Sequence, residues 1–201
     1  MHPYSIDSNE RTTRTIEFGI FAAVLSLILE LAVYPRVGVT ALPLWVQALL
    51  HLSPLGIAVA LIRFHDNVSW KSRLWKFRGS SIPNLTGRWT GTINNNSIER
   101  HCNLEIRQTW SKISVKFWTD RTESESMMAA LWVESRHDLR LGYAFASERK
   151  SSAPTIVQAT WGAAQFKIDR DQLSMTGDFI AGHPVAKFGG IVLRRDEDSP
   201  A

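Results

Sequence analysis

The residues best equipped to meet a charged, ring-bearing ligand lie in the second half of the chain: Arg107, Lys116, Tyr143, Trp161, Asp178 and Lys187. Guanidinium and ammonium groups bind phosphate oxygens, and aromatic faces stack on bases. Each of these residues fits equally well as a wall residue of a β-structure or as a solvated charge. Catalytic signatures are missing: the chain has no G-x-S-x-G, no phosphate-cradling Walker loop and no H-E-x-x-H. The histidines (His2, His51, His65, His101, His137 and His183) are scattered, and none stands at metal-ligand spacing with another ligand. The single cysteine, Cys102, alternates with Leu104 and Ile106, which marks it as a packing residue and rules out a disulfide framework within one chain. The expectation is a binding protein, not an enzyme, with no metal and no cofactor.

A second group of polar residues stands in apolar surroundings. Glu30 interrupts the run Phe18–Tyr34, and Gln47 and His51 lie within Val37–Ile62, which is 26 residues long without Asp, Glu, Lys or Arg. Such residues are costly in hydrocarbon unless paired or wet. Gln47 and His51, four apart, share one helix face and can either tie helices together or line a polar path in an assembly. About 20 apolar residues span a bilayer core, so the two runs predict transmembrane helices over 16–34 and 37–62, turned by Tyr34-Pro35-Arg36. No small-x-small cleavage site follows the first run, which argues against a signal peptide. Arg63, Lys71, Arg73, Lys76 and Arg78 crowd the exit of the second run, and Arg11 and Arg14 precede the first. By the positive-inside rule both termini and everything after the hairpin are expected in the cytoplasm.

Residues 1–82 hold 8 Lys and Arg against 5 Asp and Glu; the remainder holds 15 against 14. The basic surplus therefore accompanies the membrane segments, and the second half lacks the charge expected of a DNA- or RNA-binding module. From Pro83 the period of the pattern becomes two, as in Trp89-x-Gly91-x-Ile93, Cys102-x-Leu104-x-Ile106, Ile113-x-Val115-x-Phe117 and Leu139-x-Leu141-x-Tyr143-x-Phe145. Turn signals separate the runs at 94–97, 136–138, 169–171 and 182–184. The predicted organisation is an N-terminal segment (1–15), two spans (16–62), a basic juxtamembrane linker (63–82), an all-β domain (83–196) and a tail (197–201). The β domain is expected to be a small, eight-stranded, antiparallel up-and-down barrel, because closure removes exposed edges.

The order of these parts resembles a known family. Two spans and a basic connector precede Pro83-Asn84-Leu85-Thr86-Gly87-Arg88-Trp89-Thr90-Gly91, and the chain ends Met175-Thr176-Gly177-Asp178-Phe179 … Gly189-Gly190-Ile191-Val192-Leu193-Arg194. This resembles the membrane-anchored β-barrel effectors of bacterial cyclic-oligonucleotide anti-phage signalling (CBASS). The Gly-x-Trp of the first strand is also similar to lipocalin and streptavidin-like barrels. There the Trp closes one end under an Arg of the last strand, which implies that role for Trp89 with Arg194 or Arg195. The CBASS resemblance implies a cyclic dinucleotide as activating ligand, made by a partner nucleotidyltransferase. It further implies a homo-oligomer in the inner membrane and loss of membrane integrity that arrests or kills the infected cell. Two other readings fit the residues: a tethered lipocalin-like carrier of a hydrophobic ligand, and a ligand-free scaffold.

Overall fold

A computed structural model describes residues 1–6, 8–33, 54–72, 82–95, 98–133, 138–149, 160–182 and 186–196. The chain divides into two compact units, one of residues 8–81 and one of residues 1–7 with 82–201.

The first unit is helical. Helix α1 (Glu10–Ile28) continues into a π-helical turn (Leu29–Val33); α2 (Pro54–Asn67) is followed by a 3-10 turn (Ser69–Lys71). Arg14, Ala22 and Ser26 of α1 are buried, and with Phe18 they form a stripe at four-residue spacing, in which the small Ala22 and Ser26 allow close approach. The Phe18 ring lies 5.2 Å from that of His65 on α2. His65 hydrogen-bonds Ser69 Oγ at 2.9 Å, and burial together with the Arg14 charge holds its pKa below the ordinary 6.5, so it is neutral at pH 7. Its apolar side chains beyond that stripe are largely uncovered: Ile20, Phe21, Val24 and Leu27 of α1 and Leu31 of the π-helical turn are all exposed. Residues Glu10–Ala32 form one helix long and apolar enough to cross a membrane, and protein covers 11% of its most apolar stretch. It begins at Glu10, earlier than the expected 16. The expected second span is described only from Pro54; Gln47, His51 and the turn at 34–36 lie outside the described residues.

The second unit is a closed barrel of nine strands, which corrects the expectation of eight. They are β1 (His2–Ile6), β2 (Gly87–Asn95), β3 (Ile98–Gln108), β4 (Lys112–Thr119), β5 (Thr122–Val133), β6 (Leu139–Arg149), β7 (Thr160–Ile168), β8 (Ser174–Gly182) and β9 (Ala186–Arg195). From β2 to β9 the strands form the antiparallel meander that the alternation predicts, and β9 returns to pair with β2. The meander closes on itself over only a short ladder. Strands β4 and β5 pair only at Lys116–Glu125, Phe117–Ser124 and Trp118–Glu123, and a bulge follows between Ser126 and Met128. Below it β1 enters the gap, antiparallel to β4 at His2–Ile113 and Pro3–Lys112, parallel to β5 at Tyr4–Ala129 through Ile6–Leu131. The barrel is therefore mixed, not wholly antiparallel, and its ninth strand comes from the segment expected to be an N-terminal extension.

Side-chain hydrogen bonds fix this wedge. The Pro3 carbonyl can only accept, so His2 Nδ1 (3.1 Å away) carries the ring proton; Nε2 then accepts from the Ser126 hydroxyl at 2.8 Å. The same Ser126 oxygen accepts the Val115 N–H at 2.9 Å, one bond the interrupted β4–β5 ladder lacks. Tyr4 is buried and donates its hydroxyl to the Trp110 carbonyl at 3.2 Å. The Gln108 carboxamide donates to Tyr4 Oη at 3.1 Å and to the Pro83 carbonyl at 3.0 Å, and accepts the Leu85 N–H at 2.9 Å.

Those bonds seat residues 82–86 across one end of the barrel. Ile82 and Leu85 are buried there, and Trp89 donates its indole N–H to the Leu85 carbonyl at 3.3 Å. The Arg195 guanidinium lies 5.6 Å from the Trp89 ring centre and donates to the carbonyls of Asn84 and Thr86. Arg195, not Arg194, thus closes the barrel with Trp89; Arg194 is exposed on the outer face. Truncating Tyr4 removes both an anchor and a hydrogen bond. Tyr4→Ala should destabilise the barrel by about 3–5 kcal/mol, and Tyr4→Phe, which loses only the hydroxyl, by about 1–2 kcal/mol. Thermal melts of the full chain in detergent, followed by near-ultraviolet circular dichroism, measure both; equal melting of Tyr4→Ala and wild type would exclude β1 from the fold.

Candidate functional site at the open mouth of the barrel

The inward register fills the barrel from the closed end. Leu104, Ile106, Leu131, Leu141, Phe166, Ile168, Met175 and Leu193 are inaccessible to solvent or nearly so, so the lower interior is a packed core without a lumen. Tyr143 belongs to this core. Its ring stacks on Phe166 at 6.0 Å and 12°, and burial pushes its hydroxyl pKa up, so it is a neutral packing residue. Burial likewise pushes the Cys102 thiol up to about 12.

Towards the other end burial fades. Phe117 and Phe145 retain some exposure, and Phe179, Ile93 and Ala181 are only partly buried. Above them the inward register carries Arg100, Thr119, Ser124, Ser147, Thr160 and Lys187, by alternation from Cys102, Phe117, Phe145, Ala164 and Ile191. Two glycines shape this mouth. A Cβ on Gly162 would overlap the Phe145 ring, and one on Gly189 would come within 2.9 Å of Phe179 Cε1. The rings of Phe145 and Phe179 therefore lie against bare backbone, leaving faces and edges at the base of the opening. Among the described residues the inward register holds no Asp or Glu, so Arg100 and Lys187 set a positive potential there.

A second concavity lies outside, over β6 to β9 and β2. It encloses about 600 Å³ and is lined by Asn94, Glu99, Arg140, Gln165, Lys167 and Asp178 among others. Lys167 Nζ is 2.5 Å from Asp138 Oδ1, and this hydrogen bond holds the Asp138 carboxyl below its ordinary 3.8. Its mixed charge suits a dianion less well than the mouth does.

The six ligand residues expected from the sequence do not converge. Only Lys187 stands at the mouth. Tyr143 lies in the core beneath it, and Asp178 lines the outer groove. Trp161 is exposed on the outer wall. Arg107 and Lys116 also face outward, with Arg107 Nε 3.0 Å from Glu105 and Lys116 Nζ 2.5 Å from Glu123, whose hydrogen bond and charge raise the lysine pKa. Arg100, Phe145, Phe179 and Gly162 were not anticipated as site residues. Arg100 had a usable signal: counting back by two from Ile106, Leu104 and Cys102 puts a charge on the inward register, where one is exceptional.

Comparison with known proteins bears on what this mouth is for. The family described as Cap15, cyclic dinucleotide receptor domain, matches residues 80–195, the barrel from its closing segment to its last strand. The chain belongs to this family. A CD-NTase-associated protein 15 from Yersinia aleksiciae is 29% identical over 152 residues, covering 73% of this chain and 71% of that protein. The Cap15 match begins just before Pro83 and so includes the Leu85–Trp89–Arg195 closure and the whole inward register of β2 to β9. It leaves out β1, which the barrel nevertheless needs. Buried with its thiol protonated, Cys102 should resist alkylation: maleimide should label the native chain at least about 100-fold more slowly than the denatured chain. Equal labelling of the two, read by mass spectrometry, would contradict a packed core.

Proposed function

We propose that this protein is a membrane-anchored CBASS effector that binds a cyclic dinucleotide in the open mouth of its barrel. On this reading, binding drives the chain to self-associate in the inner membrane, and its helices then disrupt the bilayer. Family membership supplies the ligand class. The observation that supports the site is that Arg100 and Lys187 fall on the inward register beyond Phe145 and Phe179, at the end of the barrel where, among the described residues, burial fades. Two cations answer two phosphodiesters, and partly exposed rings offer stacking for bases. A hydrophobic-carrier role fits less well, because the interior leaves no lumen for an acyl chain.

The membrane part of the proposal rests on the sequence and on α1. Two spans, 16–34 and 37–62, hold the barrel on the cytoplasmic side, where a cytosolic nucleotidyltransferase can reach it with its product. The ligand acts by population shift: it must bind the assembled state better than the single chain. Glu30, exposed on the π-helical turn, together with Gln47 and His51, would give the assembled helices a polar path.

Calorimetric titration of the full chain in detergent with cyclic dinucleotides of adenine, guanine and uracil tests the site. Arg100→Ala and Lys187→Ala should each weaken binding about 10- to 100-fold, the value of a hydrogen bond to a charged group, with a reduced salt dependence. Arg107→Ala and Lys116→Ala should bind like wild type. Loss of binding in the latter pair alone would move the site to the outer wall. In dye-loaded vesicles, the double variant Gln47→Leu and His51→Leu should leak less on ligand addition while binding normally; undiminished leakage would remove the polar path.

A further inference from the structure

The outer wall of the barrel carries an apolar row that the fold does not use. Strand pairing sets Met128 opposite Ala144, Ala144 opposite Ala163, Ala163 opposite Ile180, and Ile180 opposite Phe188. The row crosses β5 to β9 without a charge, and Trp161, opposite Ala146, extends it one step towards the mouth. Outward positions of a small barrel are ordinarily polar, yet Met128, Trp161, Ile180 and Phe188 are 64, 60, 55 and 66% exposed.

We propose that this row is the surface on which a second copy of the chain docks, face to face about a twofold axis. Its relief is self-complementary: Ile180 and Phe188 form a ridge on β8 and β9, and Ala144 and Ala163 form a trough on the neighbouring β6 and β7. A twofold operator lays the ridge of each copy in the trough of the other. The area fits a conditional contact. The four large side chains expose on the order of 500 Å² of apolar surface, a size typical of functional patches. A stable dimer buries about 800 Å² per partner, so separate copies stay apart and need help to pair. Tethering in a bilayer supplies part of it by raising the effective concentration. A ligand at the mouth supplies the rest, a step that rests on the proposed function. Phe188 lies between Lys187 and Gly189, and Trp161 between Thr160 and Gly162, so β7 and β9 each present mouth residues inward and docking residues outward. A bilayer is the weaker occupant, because the row has no Lys or Arg for anionic headgroups.

The test uses the full chain in vesicles, with a short bis-maleimide and cysteines placed singly on the outer wall. Ala163→Cys, next to the proposed axis, should cross-link copies in pairs, more strongly when cyclic dinucleotides of adenine, guanine and uracil are added; Thr92→Cys, on the same wall but off the row, should not. Ile180→Asp and Phe188→Asp should cut ligand-induced cross-linking through Ala163→Cys at least about tenfold, while binding the same nucleotides in dilute detergent within about twofold of wild type, as exposed substitutions do. Unchanged cross-linking in both Asp variants, or equal cross-linking from Thr92→Cys, would overturn the docking surface. So would the absence of any Ala163→Cys cross-link at high density in the bilayer. Cross-linking at high density without nucleotide binding by wild type would leave the surface standing and overturn the ligand reading instead.

Discussion

A buried carboxamide, that of Gln108, ties together stretches of chain far apart in sequence. Its oxygen accepts from Leu85 and its nitrogen donates to Pro83 and Tyr4. A buried amide without partners costs several kcal/mol, so the side chain enforces what surrounds it: residues 82–86 must lie across the barrel end, and β1 must lie in the gap between β4 and β5. The first condition seats Leu85 under Trp89 and gives Arg195 its carbonyl acceptors. The second gives Tyr4 its place and lets His2 and Ser126 patch the interrupted ladder. Closure of one end and closure of the sheet thus share a group.

Because that end is sealed and the core above it is filled, the barrel offers small molecules, besides the groove on its outer wall, the far rim of its described interior. There the inward register changes chemistry, from aliphatic residues through phenylalanines to hydroxyls and two cations, within about three register steps. The same strands show the opposite trend outside, where β7 and β9 carry exposed apolar residues opposite the rim. A two-residue period lets one strand serve two surfaces at once, so a ligand bound at the rim and a partner docked outside would be separated by a single layer of backbone.

Much of this was legible in the residues. Strict alternation locates β2, β3, β4 and β6, and the resemblance to lipocalin-like barrels implies Trp89 as a closing residue. The N-terminal strand was not legible, because His-Pro-Tyr-Ser-Ile is five residues with a proline, too short for its Tyr4-Ser5-Ile6 alternation to mark a strand; its place is dictated by a gap created over a hundred residues later. The bulge at Ser126–Met128 was hidden for the same reason, being a property of two strands and not of one. Arg194 and Arg195 could not be told apart until the register of β9 against β2 was known. The residues proposed to meet a ligand are the least legible: Arg107 and Lys116 carry suitable charge but face neighbouring carboxylates on the outer wall, and only register separates them from Arg100 and Lys187.

The wedge also sets an order of events during synthesis. His2 leaves the ribosome well before its partner Ser126, 124 residues further along the chain. At bacterial elongation rates of roughly 10 residues per second, the opening strand waits more than about ten seconds for β5, while the apolar helix directly behind it has already been made. The strand therefore has to stay on the side where the barrel is assembled, within reach, until β5 emerges.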